Sequence, residues 1–287
     1  MTAAMNAASL LATLMAGDPA LAGKLDGGIV LLVASLLSAA AFGGPASAGG
    51  LDDARSRGKL LVGVKTDFPP FGYLDPAGKP RGFDADIARY LARALFEDEG
   101  RLELVPVTTG SRIPFLYSGW VDMIIATMTA TEERRQVLDF SEPYFVSASL
   151  LLVPEGSPIR GIGDLEGKVV AVLEGSVQEK DLALVAPRAK RVAYKTVGEA
   201  VSALKGKKAD ALCQDEPLVL ELEKRNRGFK IAGQPILSRP YAIAVRKGDR
   251  ETLRWINEKL SAMKNDGTYE RLRRKYFGDA GGKEGPR

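Results

Sequence analysis

Residues 82–91 read Gly82-Phe83-Asp84-Ala85-Asp86-Ile87-Ala88-Arg89-Tyr90-Leu91, and they begin the first long amphipathic segment of the chain. Their apolar residues recur at every fourth position, a spacing typical of a helix with one buried face. The two aspartates stand in the first turn, where the positive end of the helix dipole favours anions. An apolar run of strand length, residues 60–64, precedes this segment. Together they predict a strand followed by a helix that packs on a sheet.

The alternation of strand and helix continues along the chain, and it predicts an α/β fold with mainly parallel sheets flanked by helices. Strands are predicted at 102–107, 121–126, 169–173, 191–194 and 209–213, and helices at 111–118, 177–186, 197–205 and 216–225. An offset of 88 residues lays the first series over the second and places Thr127 opposite Asp215. Both follow a predicted strand, at the end where open α/β sheets bind ligands. Two unrelated strand–helix units would give a similar rhythm, so the repeat is a hypothesis.

The N-terminus predicts export. Residues 29–42 are an apolar run too short to span a bilayer, and Ala46-Ser47-Ala48 follows it as a small-residue cleavage signal. We therefore predict that residues 1–48 are a secretory signal cleaved after Ala48, and that the protein is periplasmic in a Gram-negative cell. An uncleaved signal-anchor is the alternative.

Four further segments are predicted in the exported chain. Residues 49–148 form the first part of lobe 1, and residues 149–245 form lobe 2 together with two extended hinge strands, predicted at 149–153 and 241–245. Residues 246–278 complete lobe 1, because two crossings between the lobes return the chain to the first of them. Residues 279–287 are Gly-rich and charged, which predicts a disordered tail.

The composition excludes several classes of enzyme. The chain of 287 residues has no histidine and one cysteine, Cys213. Histidine-dependent triads and His-ligated metal sites are therefore excluded, as are an internal disulfide and an iron–sulfur cluster. A net charge of +4 is weak support for a nucleic-acid partner. We predict a non-enzymatic protein that uses no cofactor or metal and binds no nucleic acid.

Several motifs, in this order, resemble those of the bacterial extracellular solute-binding proteins of the polar amino-acid type, family 3. They are residues 82–91, 128–134, 139–144, 175–179 and 209–216. The resemblance covers about residues 58–278. It implies a two-lobed periplasmic-binding-protein fold of type II with two hinge crossings. It also implies a monomer that closes on an amino acid and delivers it to an ABC permease in the inner membrane.

The resemblance further implies a role for individual side chains. Arg134 would hold the ligand α-carboxylate with two parallel hydrogen bonds, a geometry that suits its planar guanidinium. Thr129 and the backbone N–H groups near Ser176 and Val177, at a helix start, would share that carboxylate. The family more often has threonine at Val177. The full set of predicted ligand-binding residues is Lys65, Phe68, Thr109, Arg112, Thr127, Thr129, Arg134, Ser176, Val177 and Asp215.

Charge predicts the class of ligand. Asp215, aided by Thr127, would pair with the α-ammonium, and Lys65 and Arg112 coincide with positions where acidic-amino-acid binders carry cations. Lys65, Arg112 and Arg134 against Asp215 give a site charge of +2. A neutral zwitterion would leave two cations without partners in a closed cleft, which is costly. The expectation is therefore glutamate or aspartate in preference to glutamine, and by a larger margin to arginine.

Three alternatives remain open. One is a binder of another polar amino acid, such as glutamine. A second is an enzyme on the same fold, a cyclohexadienyl (arogenate/prephenate) dehydratase, for which Asp215 or Glu174 would serve as the acid. A third is a sensor domain that passes its signal to a separate receptor.

Overall fold

The computed structural model describes residues 50–278. The export signal predicted for residues 1–48, its cleavage after Ala48 and the tail predicted for residues 279–287 lie outside this range. Between residues 50 and 278, no helix is both long enough and apolar enough to cross a membrane.

Short strands alternate with helices through this range. The strands are β1 (Leu60–Val64), β2 (Asp67–Phe68), β3 (Gly72–Leu74), β4 (Pro80–Arg81), β5 (Leu102–Pro106), β6 (Met123–Ile124), β7 (Leu138–Phe140), β8 (Phe145–Pro154), β9 (Val169–Leu173), β10 (Lys190–Tyr194), β11 (Ala211–Asp215), β12 (Phe229–Tyr241) and β13 (Ala244–Arg246). The helices are α1 (Gly50–Arg57), α2 (Phe83–Phe96), α3 (Arg112–Tyr117), α4 (Glu132–Val137), α5 (Val177–Val185), α6 (Val197–Lys205), α7 (Glu216–Arg225), α8 (Arg250–Asn265) and α9 (Thr268–Phe277). Single 3₁₀ turns lie at Glu99–Arg101 and Ile162–Asp164.

Two five-stranded sheets carry the fold, and their three parallel strands follow the same order. The first has the order β5-β1-β6-β13-β7, in which β5, β1 and β6 are parallel and β13 is antiparallel to both neighbours. The second has the order β10-β9-β11-β8-β12, in which β10, β9 and β11 are parallel and β8 is antiparallel to both neighbours. The predicted α/β class is confirmed, and the shared order supports an internal repeat. We refer to the first sheet with its helices as lobe 1 and to the second as lobe 2.

The chain passes between the two sheets twice. Residues 141–144 connect β7 to β8, and residues 242–243 connect β12 to β13. Strands β8 and β12 pair antiparallel, and their register places Phe145 opposite Tyr241 beside both passages. Strand β13 thereby returns the chain to the first sheet, and α8 and α9 then pack against α2.

An aromatic cluster fills the interior next to these passages. The ring of Phe71 lies 4.9 Å from that of Phe145 and 5.5 Å from that of Tyr241, both edge-on. The ring of Phe83, at the start of α2, lies 5.2 Å from that of Phe277 in the last helix. Edge-to-face contacts of this kind stabilise beyond the apolar area they bury. The cluster therefore packs the start of α2, the strand ends beside both passages and the C-terminal helix α9 against one another.

Two predicted elements begin or end elsewhere. The strand predicted at 121–126 is buried throughout but is paired only at Met123–Ile124. The hinge strand predicted at 241–245 is interrupted, because the chain leaves β8 after Tyr241 and joins β6 and β7 only at Ala244.

A third element is displaced along the sequence. The strand predicted at 209–213 is Ala211–Asp215, because Asp210 is bonded to Val169 just before the strand begins. The N–H of Asp210 donates to the carbonyl of Val169 at 2.8 Å, and the carboxylate of Asp210 accepts the N–H of Val169 at 2.7 Å. Asp215 consequently ends the strand instead of following it, and it is also the N-cap of α7.

Candidate functional site

A cavity of about 240 Å³, including its open mouth, lies between the two lobes. The lining residues are Phe68, Thr109, Arg112, Thr127, Thr129, Arg134, Ser176, Val177, Gln178, Gln214 and Asp215. Nine of the ten residues predicted to bind ligand are among them. Lys65 is the exception. Within residues 50–278, no group of acidic, cysteine or histidine side chains could hold a metal ion.

Arg134 reaches the cavity from the first turns of α4. Thr131 caps this helix by accepting the backbone N–H of Arg134 at 3.2 Å, which stabilises the helix start from which the arginine extends. The guanidinium donates from Nη1 to the carbonyl of Thr129 and from Nη2 to the carbonyl of Gly175, both at 2.9 Å. Burial lowers the pKa of Arg134, while Glu133 and Asp215 oppose the shift. A guanidinium has five N–H donors, so donors remain for an anion in the cavity.

The start of α5 faces Arg134 from lobe 2. Ser176 is the N-cap of this helix, but its side chain makes no capping hydrogen bond, and its Oγ is buried without a partner among residues 50–278. Val177 supplies a backbone N–H and no hydroxyl at the next position. An unpartnered hydroxyl and a helix N-terminus together favour a negatively charged group.

Asp215 stands across the cavity at the end of β11. Its Oδ1 accepts a hydrogen bond of 2.8 Å from Nε2 of Gln178, and the same nitrogen donates to Oγ of Ser149 at 2.9 Å. Burial raises the pKa of Asp215, while Tyr241, Gln178, Lys65 and Arg112 oppose the shift. A buried carboxylate that faces a cavity is suited to an ammonium group, because the positive charge of the ammonium replaces the solvation that the carboxylate loses on burial.

Sequence reasoning missed two glutamines of the site. Gln178 orients Asp215, and Gln214 lines the cavity with its Nε2 buried and unpartnered within the described residues. Both stand next to predicted site residues, Gln178 beside Val177 and Gln214 beside Asp215. The five-residue strand Ala211–Asp215 is buried at every position, so a polar residue within it was a usable signal.

Lys65 lies behind the cavity wall and not on it. Its ammonium donates to Oγ1 of Thr109 at 2.6 Å, lies 4.6 Å from the ring centre of Phe68, and is 3.9 Å from the carboxylate of Asp67. Burial lowers the pKa of Lys65 to about 8. Lys65 is therefore not among the residues that line the cavity, and its ammonium is bonded to Thr109, which is; the expected contact of Lys65 with a ligand stays a prediction.

Arg112 lines the cavity, but its guanidinium is bonded to the backbone. Nε donates to the carbonyl of Thr109 at 2.9 Å, and Nη1 donates to the carbonyls of Ala126 and Thr127 at 2.9 and 3.1 Å. Burial, followed by the charge of Arg134, lowers the pKa of Arg112 to about 9. Arg112 therefore has fewer free donors for a ligand than the sequence count assumes.

The count of +2 also left out two carboxyl groups. Asp67 is the nearest acidic neighbour of Lys65. Asp84 is fully buried beneath the cavity wall, and Arg112 and Lys65 both act on its carboxyl. Three cations thus face three carboxyl groups, and most of the expected surplus of positive charge is compensated.

The two lobes touch at points outside the cavity. Asp67 of lobe 1 accepts the N–H of Val197, the first residue of α6 in lobe 2, at 3.0 Å. An ion pair joins Glu133 to Lys180. A Cβ built on Gly175, whose φ is +71°, would lie 3.2 Å from the Cα of Gly110. The structure is therefore a closed arrangement in which glycines allow the backbones of the two lobes to approach.

The comparisons with known proteins agree with this geometry. Residues 60–279 match the model of the bacterial extracellular solute-binding proteins, family 3. The chain belongs to this family.

Two proteins whose names state an amino-acid ligand resemble the chain over most of its length. It is 37% identical over 225 residues to the ABC transporter glutamine-binding protein GlnH of Bacillus subtilis (strain 168), covering 78% of this chain and 82% of the relative. A solved structure of an ancestral arginine-binding protein bound to glutamine is 41% identical, with a TM-score of 0.73, and covers 78% of this chain and 99% of that one. The two-lobed type II periplasmic-binding-protein fold is thereby confirmed.

A second solved structure bears on the enzyme alternative. The ancestral amino acid-binding protein AncCDT-1, a precursor of cyclohexadienyl dehydratase, is 35% identical with a TM-score of 0.73, and covers 79% of this chain and 99% of that one. Its name places a binding protein before the enzyme. In this chain, Glu174 is not among the residues that line the cavity, which leaves Asp215 as the acid there.

Proposed function

We propose that this protein is the substrate-binding component of an amino-acid ABC importer, and that it binds a neutral polar amino acid, with glutamine as the favoured ligand. The observation that carries the proposal is the placement of Arg134 and Asp215 in one cavity. An α-amino acid presents a carboxylate and an ammonium on one carbon atom, so it needs one cation and one anion close together.

The polar groups divide into two subsites. Arg134, Thr129 and the start of α5 would hold the carboxylate, and Asp215, oriented by Gln178, would hold the ammonium. Hydrogen bonds to charged groups contribute about 1.5–3 kcal/mol each. Three or four of them, less the cost of ordering, make micromolar affinity reasonable.

The charge balance of the cavity wall favours a ligand with an uncharged side chain. The sequence alone predicts glutamate or aspartate, but Asp67 and Asp84 compensate most of the surplus on which that expectation rests. A second ligand carboxylate would meet Lys65 only through Thr109. A cationic side chain would in turn approach Lys65 and Arg112. The free Nε2 of Gln214 offers a donor to an amide carbonyl. The glutamine named for GlnH supports the same choice.

Binding would proceed by hinge closure. Most of the cavity's polar groups belong to lobe 1, so the ligand would dock there and lobe 2 would then close over it. The two short passages, 141–144 and 242–243, are where the chain would bend. The closed monomer would be the form that a membrane permease recognises, and its place would be the periplasm.

A thermal-shift panel tests the proposal. The exported protein is melted in the presence of each of the twenty amino acids, with Arg134→Ala as a control. The expected result is the largest stabilisation by glutamine, a smaller one by glutamate, and none by any amino acid in the variant. Stabilisation by arginine alone, or by no amino acid, would contradict the proposal.

A further inference from the structure

One buried carboxyl group acts on the site without lining it. Asp84 stands in the first turn of α2 within the 82–91 motif and is fully buried. Its Oδ2 accepts the backbone N–H of Thr127 at 2.9 Å, across a separation of 43 residues. Asp86, two positions later, points elsewhere and binds Arg89, Lys275 and Tyr276. The two aspartates of the motif therefore serve different parts of the molecule.

Thr127 has an unusual backbone. Its φ is +48°, in the left-handed region that residues with a Cβ rarely adopt and that is worst for a β-branched side chain. Such a conformation persists only where its surroundings impose it, and it is common at binding sites. Thr127 lines the cavity, and Thr129, two residues on, lines it as well.

Arg112 holds the other side of the same residue. Its Nη1 donates to the carbonyl of Thr127 at 3.1 Å and to that of Ala126 at 2.9 Å. The N–H of Thr127 thus meets a carboxyl group from α2, and its carbonyl meets a guanidinium from α3. We call this arrangement of Asp84, Thr127 and Arg112 the Thr127 clamp.

We propose that Asp84 and Arg112 are positioning residues whose clamp on Thr127 imposes the strained backbone that sets Thr127 and Thr129 on the cavity wall. This proposal rests on the proposed function, because it assumes that an amino acid binds there. Besides the Thr127 N–H, the groups that act on the carboxyl of Asp84 are Tyr144, Arg112 and Lys65. Burial raises the pKa of Asp84 to about 7, so a carboxyl group is kept here at an energetic cost.

The first test needs no ligand. Amide hydrogen exchange of Thr127 is measured by NMR in the wild type and in Asp84→Ala and Asp86→Ala, two matched variants in one helix turn. We expect a protected Thr127 amide in the wild type, at least tenfold faster exchange in Asp84→Ala, and no change in Asp86→Ala. A Thr127 amide that exchanges freely in the wild type would overturn the clamp even if Asp84→Ala did not fold.

The second test measures glutamine affinity by calorimetry in the same variants and in Asp84→Asn. We expect a loss of at least tenfold in Asp84→Ala, a smaller loss in Asp84→Asn because its amide oxygen can still accept the N–H, and a change below twofold in Asp86→Ala. Equal affinities in the wild type and Asp84→Ala would overturn the positioning role. If glutamine does not bind the wild type, the proposed function fails, while the exchange experiment still tests the clamp.

Discussion

The guanidinium of Arg134 in lobe 1 donates a hydrogen bond of 2.9 Å to the backbone carbonyl of Gly175 in lobe 2. Arg134 also lines the cavity, together with Asp215. One side chain therefore belongs both to the proposed ligand subsite and to the contact between lobes. The proposed function implies that ligand binding and closure would be coupled through it, because a carboxylate that orients the guanidinium would also orient the donor to Gly175.

Replacement of Arg134 separates charge from shape. We expect Arg134→Ala to abolish detectable glutamine binding, because the ligand carboxylate and the carbonyl of Gly175 both lose their donor. Arg134→Lys keeps the charge but not the planar pair of donors, so a loss of about 10- to 100-fold is expected. Calorimetry on both variants checks this. Near-normal affinity in Arg134→Ala would show that the carboxylate binds elsewhere.

Replacement of Asp215 tests the ammonium subsite. Asp215→Asn keeps an oxygen that can accept from Gln178 but removes the charge. We expect glutamine affinity to fall about 10- to 100-fold, the value of one charged hydrogen bond. The control is the glutamine analogue without its α-amino group, whose weaker binding should be the same in the variant and the wild type. An equal loss for both ligands would place the ammonium away from Asp215.

Removal of a wall charge should change selectivity. Asp67→Asn deletes the nearest counter-charge of Lys65, so the ratio of glutamate affinity to glutamine affinity should rise at least threefold. The matched control is Glu133→Gln, which also deletes a contact between lobes but lies in an exposed ion pair with Lys180. In Glu133→Gln, the affinities for glutamate and for glutamine should change by the same factor. Competition calorimetry measures the ratio, and an unchanged ratio in Asp67→Asn would refute the role of charge compensation.

Stability should depend on pH through two buried groups of opposite sign. The pKa of Asp84 is raised from 3.8 to about 7, so its contribution to stability is present below pH 3.8 and is lost as pH rises through 7. The pKa of Lys65 is lowered from 10.5 to about 8, so its contribution is present above pH 10.5 and is lost as pH falls through 8. Urea unfolding at pH 5 and pH 7.5 should show that Asp84→Asn loses less stability over this interval than the wild type, by more than about 1 kcal/mol. Parallel profiles would show that Asp84 does not titrate there.

Much of the fold was accessible from the sequence, because each half repeats a local rhythm. Val169–Leu173 and Glu216–Arg225 have the predicted bounds, since apolar runs and helix caps are local signals. The displaced strand Ala211–Asp215 shows the limit. Its start depends on the hydrogen bonds between Asp210 and Val169, a contact between residues 41 positions apart that no local pattern contains.

The site was predictable as a set of residues but not as a balance of charge. Nine of the predicted side chains line the cavity, and five of them lie within the motifs that carry the family resemblance. Their hydrogen bonds are long-range facts: Arg112 donates to Thr127, and Asp84 accepts from it. Asp84 was read as an anion at a helix start, whereas it is buried and serves a residue 43 positions away.

Glutamine selectivity is tested most directly by a titration of the exported wild-type protein with glutamine and with glutamate at pH 7.5, followed by calorimetry. The proposed function predicts saturable one-to-one binding of glutamine in the micromolar range and at least tenfold weaker binding of glutamate. Tighter binding of glutamate would contradict it, because Lys65 and Arg112 would then act as uncompensated cations despite Asp67 and Asp84.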